Sequence, residues 1–174
     1  MKKLLIVVDM QNDFIDEALG TPEAVSIVPH VVKKIQTFDG DVFFTRDTHF
    51  ENYMDTQEGR ALPVLHCIKD THGWQINDAV LEACSGRNAK GVDKITFGSV
   101  ALPAIIKETY GDDISSIELI GLCTDICVIS NAMLLKANFP EVPISVDSSC
   151  CAGVTPQSHT NALEAMKMCQ ITIL

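Results

Sequence analysis

The stretch LLIVVD (Leu4–Asp9), followed by TPEAVSIVPHVVKKIQTFDG (Thr21–Gly40), decides the fold. Leu4 to Val8 is an unbroken β-prone apolar run, which suits a strand covered on both faces, and it stops at an acidic residue. Thr21-Pro22 reads as an N-cap followed by the first helical residue. Behind it Ala24, Val25, Val28, Val31, Val32 and Ile35 recur at helical spacing, and Asp39-Gly40 closes the pattern. Together they form a strand–helix unit, and the chain repeats it. Val42 to Thr45, Val92 to Ile95, Ile117 to Ile120, Ile144 to Val146 and Ile171 to Ile173 read as further strands, with helices over 76–84 and near 100–110, 125–138 and 157–169. Strands too apolar to face water, alternating with helices, predict an α/β fold with a mostly parallel sheet of about six strands between helix layers.

The 174 residues suit one domain over 1–174, since a chain of this size buries roughly two-thirds of its unfolded surface around a single core. Thirteen Lys plus Arg against 23 Asp plus Glu give a formal charge of −10, which repels phosphate backbones and anionic membrane surfaces. Nucleic acid and membrane are therefore unexpected partners. The apolar run after Lys2 and Lys3 is too short for a signal-peptide core or a span, so a cytosolic protein is expected. Seven cysteines are an odd number, and free thiols are expected rather than a disulfide framework.

In folds of this class, sites lie at the carboxyl ends of strands. The polar residues predicted there are Asp9, Asp47 with His49, Lys94, and the segment Gly121 to Val128. Cys127 falls in the first turn of a predicted helix, where free N–H groups and the helix dipole stabilise a thiolate. On position alone an inert, buried cysteine is the simpler reading. Lys94 interrupts a strand-like run; a solvated lysine just past a strand end explains it equally well. Asp9 alone would serve as a turn cap. As a group, the three supply a nucleophile, a proton acceptor and a cation, the requirements of amide cleavage by a thiol. Asp47 and His49, two apart on a strand, point the same way, and Glu58 and His66 follow in the long loop. That oxygen and nitrogen donor set suits zinc, iron or manganese, although surface histidines explain the bare pattern more cheaply.

Val8 to Phe14, Lys94 to Ser99 and Gly121 to Val128 resemble the three signature segments of the isochorismatase-like cysteine hydrolases, in the expected order along nearly the whole chain. The resemblance implies a Rossmann-like three-layer α/β/α fold and a catalytic triad of Asp9, Lys94 and Cys127. It implies an oxyanion hole from the backbone N–H groups of Cys123 and Cys127, and a cis peptide at Leu122-Cys123. The position of Cys123 is usually alanine in the family, so a second thiol there is a departure, read here as inert rather than as a partner for oxidised Cys127.

Among these hydrolases, Asp47, His49 and His66 are similar to the metal set of the nicotinamidases, with Glu58 where some members supply a fourth ligand. Phe14 and Leu122 then fall in the substrate pocket. The implied activity is hydrolysis of a small amide through a thioester, nicotinamidase-like, with a divalent metal ion, no organic cofactor and a possible homo-oligomer. Another family amidase, acting on a carbamoyl, ureido or maleamate-type substrate, is the alternative, and a catalytically silent binding or thiol-sensing protein is a third. Pro63 stands where nicotinamidases commonly carry a ring-stacking aromatic, and Trp74 or Phe50 is the expected substitute. His30, His72 and His159 are expected outside the site, and Cys67, Cys84, Cys150, Cys151 and Cys169 are expected to be structural.

Overall fold

The computed structural model describes residues 1–174. Six strands form one parallel sheet: β1 (Lys2–Val8), β2 (Asp41–Asp47), β3 (Lys90–Lys94), β4 (Ile114–Leu122), β5 (Ile144–Ala152) and β6 (Thr172–Ile173). Their order across the sheet is β3-β2-β1-β4-β5-β6. The helices are α1 (Asn12–Ile15), α2 (Pro22–Thr37), α3 (Gln57–Ala61), α4 (Asp78–Cys84), α5 (Ala101–Tyr110), α6 (Ile129–Asn138) and α7 (Pro156–Met168).

The alternation within β1 explains the three layers. Leu4, Ile6 and Val8 point to one face and pack with Leu102 and Ile106 of α5, Ala132 and Leu135 of α6, and Met166 of α7. Leu5 and Val7 point to the other and pack with Ile27, Val31 and Ile35 of α2 and Val80 of α4. Both faces are dry, so a continuous apolar run was required. Thr21 caps α2, its hydroxyl accepting from the Ala24 N–H at 3.0 Å. Val31 and Ile35 are fully buried, each contributing about 1.5–3 kcal/mol. Val25, counted in the periodic set, is instead half exposed.

The elements depart from expectation where the apolar pattern breaks. β5 runs on through Asp-Ser-Ser-Cys-Cys to Ala152, whereas the sequence predicts an end at Val146. β3 begins earlier and stops at Lys94, leaving Ile95 exposed. Cys127 does not lie in the first turn of α6. It lies in a single π-type turn, Thr124–Val128, that leads into the helix. Such turns widen the backbone and are frequent at functional sites.

The chain order reverses between β1 and β4: β1 leads outward to β2 and β3, then returns to β4 on its other side. A crevice opens at the carboxyl ends of strands at such a reversal. Gly121 belongs to this seam. It has φ +114°, and a Cβ there would stand 2.1 Å from the Val8 carbonyl oxygen. Only glycine lets β4 approach β1 this closely. The next peptide, Leu122–Cys123, is cis, as the resemblance implied.

Candidate active site

The carboxyl ends of four neighbouring strands deliver four polar groups to one place. Asp9 follows β1, Asp47 ends β2, Lys94 ends β3, and Cys127 follows β4. The Lys94 Nζ lies 2.6 Å from Asp9 Oδ2, 3.2 Å from Asp47 Oδ1 and 3.5 Å from Cys127 Sγ. It also donates to the Thr96 carbonyl at 3.1 Å. All four residues are buried. Asp9 has φ +45°, a left-handed conformation that aspartate tolerates better than most residues. Its second carboxylate oxygen accepts from the Thr45 hydroxyl at 2.6 Å, which fixes the carboxylate plane.

Burial governs the charges. It pushes the Asp9 carboxyl above its ordinary range, with Lys94 pulling the other way. Burial pushes the Cys127 thiol well up, and the Asp9 carboxylate beside it adds to the effect. Burial also works against the Lys94 ammonium, but Asp9, Cys127 and Asp47 outweigh it and hold the lysine protonated. The resting arrangement is thus a protonated thiol beside a carboxylate whose proton affinity has been raised. The raised proton affinity of Asp9 favours its accepting a proton, while burial of the thiol opposes giving one up, so the lasting charge of Lys94 beside both groups is what favours a thiolate.

Asp47, His49, Glu58 and His66 come together: one donor atom from each lies within 4.8 Å of all the others. His49 Nε2 is 3.1 Å from Asp47 Oδ2 and 3.5 Å from Glu58 Oε1, and His66 Nε2 is 3.9 Å from each of those carboxylates. His66 Nδ1 sits 2.8 Å from the Val64 carbonyl, which suits an Nδ1–H donor and leaves the Nε2 lone pair facing the cluster. Two imidazoles and two carboxylates converging in a buried place fit a divalent ion of the zinc, iron or manganese kind.

A cavity of about 280 Å³ joins the two groups, bordered by Asp47, Glu58, His66, Cys123 and Cys127 and otherwise mostly apolar. Phe14 and Leu122 both line it, and the Phe14 ring stands 5.6 Å from that of His66. Trp74 does not supply the missing ring wall. Its indole N–H is spent on the Thr48 hydroxyl at 2.9 Å, and the Arg46 guanidinium lies 3.9 Å over its face. Phe50 is half exposed and also stays outside. Pro63 itself stays off the cavity, whose wall includes Leu62 and Phe97.

One supporting residue, Gln11, has no role assigned on sequence grounds. Gln11 is fully buried and clamps Asp47, donating to its carbonyl at 2.8 Å and accepting from its N–H at 2.7 Å. The only hint in the sequence was its place inside the segment Val8 to Phe14. His30 meets the Ser149 carbonyl and His72 pairs with Glu17, both away from the cavity. His159 reaches the Thr124 hydroxyl at 2.7 Å, in the turn that carries Cys127. All seven cysteines are free; Cys67, Cys84, Cys150 and Cys151 are buried, while Cys169 is exposed rather than packed.

Comparison with known proteins places these observations. A nicotinamidase of Saccharomyces cerevisiae is 33% identical over 122 residues, covering 53% of this chain and 56% of the yeast protein, so this match spans about half of each. The structure of a Pyrococcus horikoshii pyrazinamidase, solved in complex with zinc, superposes with a TM-score of 0.82 at 26% identity, over 100% of this chain and 99% of that one. An N-carbamoylsarcosine amidase from Thermoplasma acidophilum gives 0.79 at 28% identity, over 99% and 95%. The profile of the isochorismatase domain matches residues 3–174, and the chain belongs to that family.

Proposed function

We propose that this amidohydrolase is a nicotinamidase-like cysteine enzyme that cleaves a small, uncharged carboxamide through a thioester on Cys127. One observation carries the reading: a single buried ammonium, Lys94, touches the candidate nucleophile, its candidate base and a carboxylate of the four-donor cluster. Nucleophile, base and the means of orienting a substrate are thereby gathered at one end of a single cavity, with Asp9 and Lys94 buried behind Cys127 and Asp47.

In this reading the amide carbonyl lies against Cys127 Sγ. Asp9 takes the thiol proton as sulfur attacks the carbonyl carbon, and the N–H groups of Cys123 and Cys127 receive the developing oxyanion. Lys94 stays charged and steadies the negative charge passed between Asp9 and sulfur. Asp9 returns the proton to nitrogen, the C–N bond breaks and ammonia leaves. Water then attacks the thioester, gives its proton to Asp9, and the acid departs as the thiol is restored. Asp47, His49, Glu58 and His66 would hold the ion, which when bound acts as a Lewis acid that orients a ring heteroatom of the substrate. Phe14, Leu122, Leu62 and Phe97 enclose the ring.

No lysine or arginine borders the cavity, and the carboxylates of Asp47 and Glu58 do. A substrate bearing its own carboxylate would find no lysine or arginine on the lining to pair with, while the two carboxylates balance the charge of an ion held between them. This argues against N-carbamoyl amino acids and maleamate-type amides. The test is ammonia release from nicotinamide, pyrazinamide, N-carbamoylsarcosine and maleamate, with added zinc, iron or manganese and with a chelator. The neutral heteroaryl carboxamides should be cleaved, with loss on chelation. Preference for the anionic amides would overturn the substrate assignment, and activity indifferent to chelator would overturn the metal role.

A further inference from the structure

Asn131 is 1% exposed, in the first turn of α6, one helical turn beyond Cys127. An asparagine buried there needs partners, because an unsatisfied amide costs about 1–3 kcal/mol. It has three. Its Nδ2 donates to the Cys127 carbonyl at 2.8 Å and to the Phe97 carbonyl at 3.2 Å, and its Oδ1 accepts from the Ser99 N–H at 2.9 Å. Both N–H donors and the carbonyl oxygen of the side chain are thus engaged, across two segments.

Those segments carry different halves of the site. One is the turn that holds the thiol. The other is the strip from Lys94 to Ser99, which holds the ammonium at 3.5 Å from Sγ, the Thr96 carbonyl that accepts from that ammonium, and Phe97 of the cavity wall. The strip has no regular structure between the end of β3 and the start of α5. Ser99 is anchored in turn, its hydroxyl accepting from the Leu102 N–H at 3.2 Å at the start of α5. Gly98 lies against α6 so closely that a Cβ would meet a Leu134 methyl at 2.6 Å. No other side chain hydrogen bond joins the strip to the nucleophile turn apart from the contact of Lys94 with the thiol itself.

We infer that Asn131 is a positioning residue that sets the distance between Lys94 and Cys127 and seats the Phe97 wall. This rests on the roles given above to Lys94 and Cys127. It touches neither substrate nor reacting atoms, and acts by holding two loops in register. Misplacement of a catalytic group by about 1 Å costs on the order of 100-fold in rate.

The experiment measures alkylation of Cys127 by iodoacetamide at neutral pH, which needs no substrate, beside kcat and KM for nicotinamide. Asn131→Thr is the key variant. A threonine hydroxyl still bonds the carbonyl one turn back in a helix, but cannot reach Phe97 and Ser99. Asn131→Ala removes all three bonds. Both should slow alkylation and lower kcat by about tenfold or more, with a rise in KM from the loosened wall. A threonine variant that matches the wild type in alkylation would overturn the inference, since the helix bond alone would then suffice. In the wild-type protein the Ser99 amide should exchange with solvent as slowly as the sheet core. Exchange at the rate of an exposed loop would equally overturn it, whatever the variants do. If alkylation falls as expected while no tested amide is hydrolysed, the clamp stands and the substrate reading fails.

Discussion

Two lysines in this molecule are built to the same charge plan, and only one lies at the candidate site. Lys94 is flanked by Asp9 and Asp47. Lys34, on α2, is flanked by Glu118 of β4 at 2.8 Å and Asp147 of β5 at 2.6 Å. Each sets one ammonium between two carboxylates. The differences lie in place and company. Lys94 sits at the carboxyl ends of the strands, beside a thiol and a cavity. Lys34 sits under a helix against the strands' earlier reaches, and no reactive group touches it. An ion triad is thus a structural device in itself, and chemistry enters through what the ammonium faces.

The sharpest way to break the comparison is at the thiol. Cys127→Ala should abolish amide hydrolysis, by about 10⁴-fold or more in kcat, while the thermal midpoint changes little. Retained turnover would dissolve the distinction between the two lysines. Next, Lys94→Met should lower kcat by about 100-fold or more, whereas Lys34→Met should leave kcat within about twofold. Equal losses in the two variants, measured on folded protein, would contradict the contrast.

A third comparison separates the members of the donor cluster. Asp47→Asn removes a buried ligand that also touches Lys94, so both metal content and activity should fall sharply. Glu58→Gln, at the more open edge, should weaken metal retention less, about 10–100-fold by titration, with activity restored at high metal concentration. On the Lys34 side, Lys34→Met leaves two carboxylates facing each other and should cost about 1–2 kcal/mol in a denaturant melt, discounted for the partial exposure of the triad.

The smallest effect is in the pH dependence of that cost. Burial would raise the Asp147 carboxyl, but hydrogen bonds from Lys34 and Ser149 hold it below the ordinary range. Burial opposes the Lys34 ammonium too, but Asp147 and Glu118 raise it well above an ordinary lysine. A depressed carboxyl stabilises above its unfolded pKa of about 3.9 and loses that contribution as pH falls through the folded value. A raised lysine stabilises below its unfolded value of about 10.4 and loses that as pH rises further. The stability gap between wild type and Lys34→Met should therefore be flat from about pH 5 to pH 10 and shrink on both sides. A gap that grows in acid would mean the triad is not what Lys34 contributes.

Lys94 and Lys34 also show what was legible in the sequence. Lys94 was readable because it breaks a strand pattern within a motif, and the parallel sheet was readable from runs such as Leu4 to Val8 that admit no wet face. Lys34 was not. It follows Lys33 in a helix where either could face water, and its partners lie in strands whose own patterns are interrupted by charge. Asn131 was hidden for the same reason: an asparagine in a helix reads as solvated until the fold brings Phe97 and Ser99 to it. Leu62 and Phe97 were missed because a cavity wall is defined by what folds opposite it. Periodicity reports which face of an element is dry, but not which distant residue dries it.

The segment from Tyr53 to Leu62 has one more consequence. Glu58 of the donor cluster and Leu62 of the cavity wall lie one turn apart, joined by the Leu62 N–H to the Glu58 carbonyl at 2.8 Å, and the Tyr53 hydroxyl holds the Leu62 carbonyl at 2.9 Å. Tyr53 in turn packs its ring 4.6 Å from that of His49. An ion held by His49 and Glu58 would therefore also restrain Leu62 at the cavity wall, through Tyr53 and the Glu58 backbone. Loss of the ion would then loosen one wall of the cavity, even for an amide with no heteroatom to offer it.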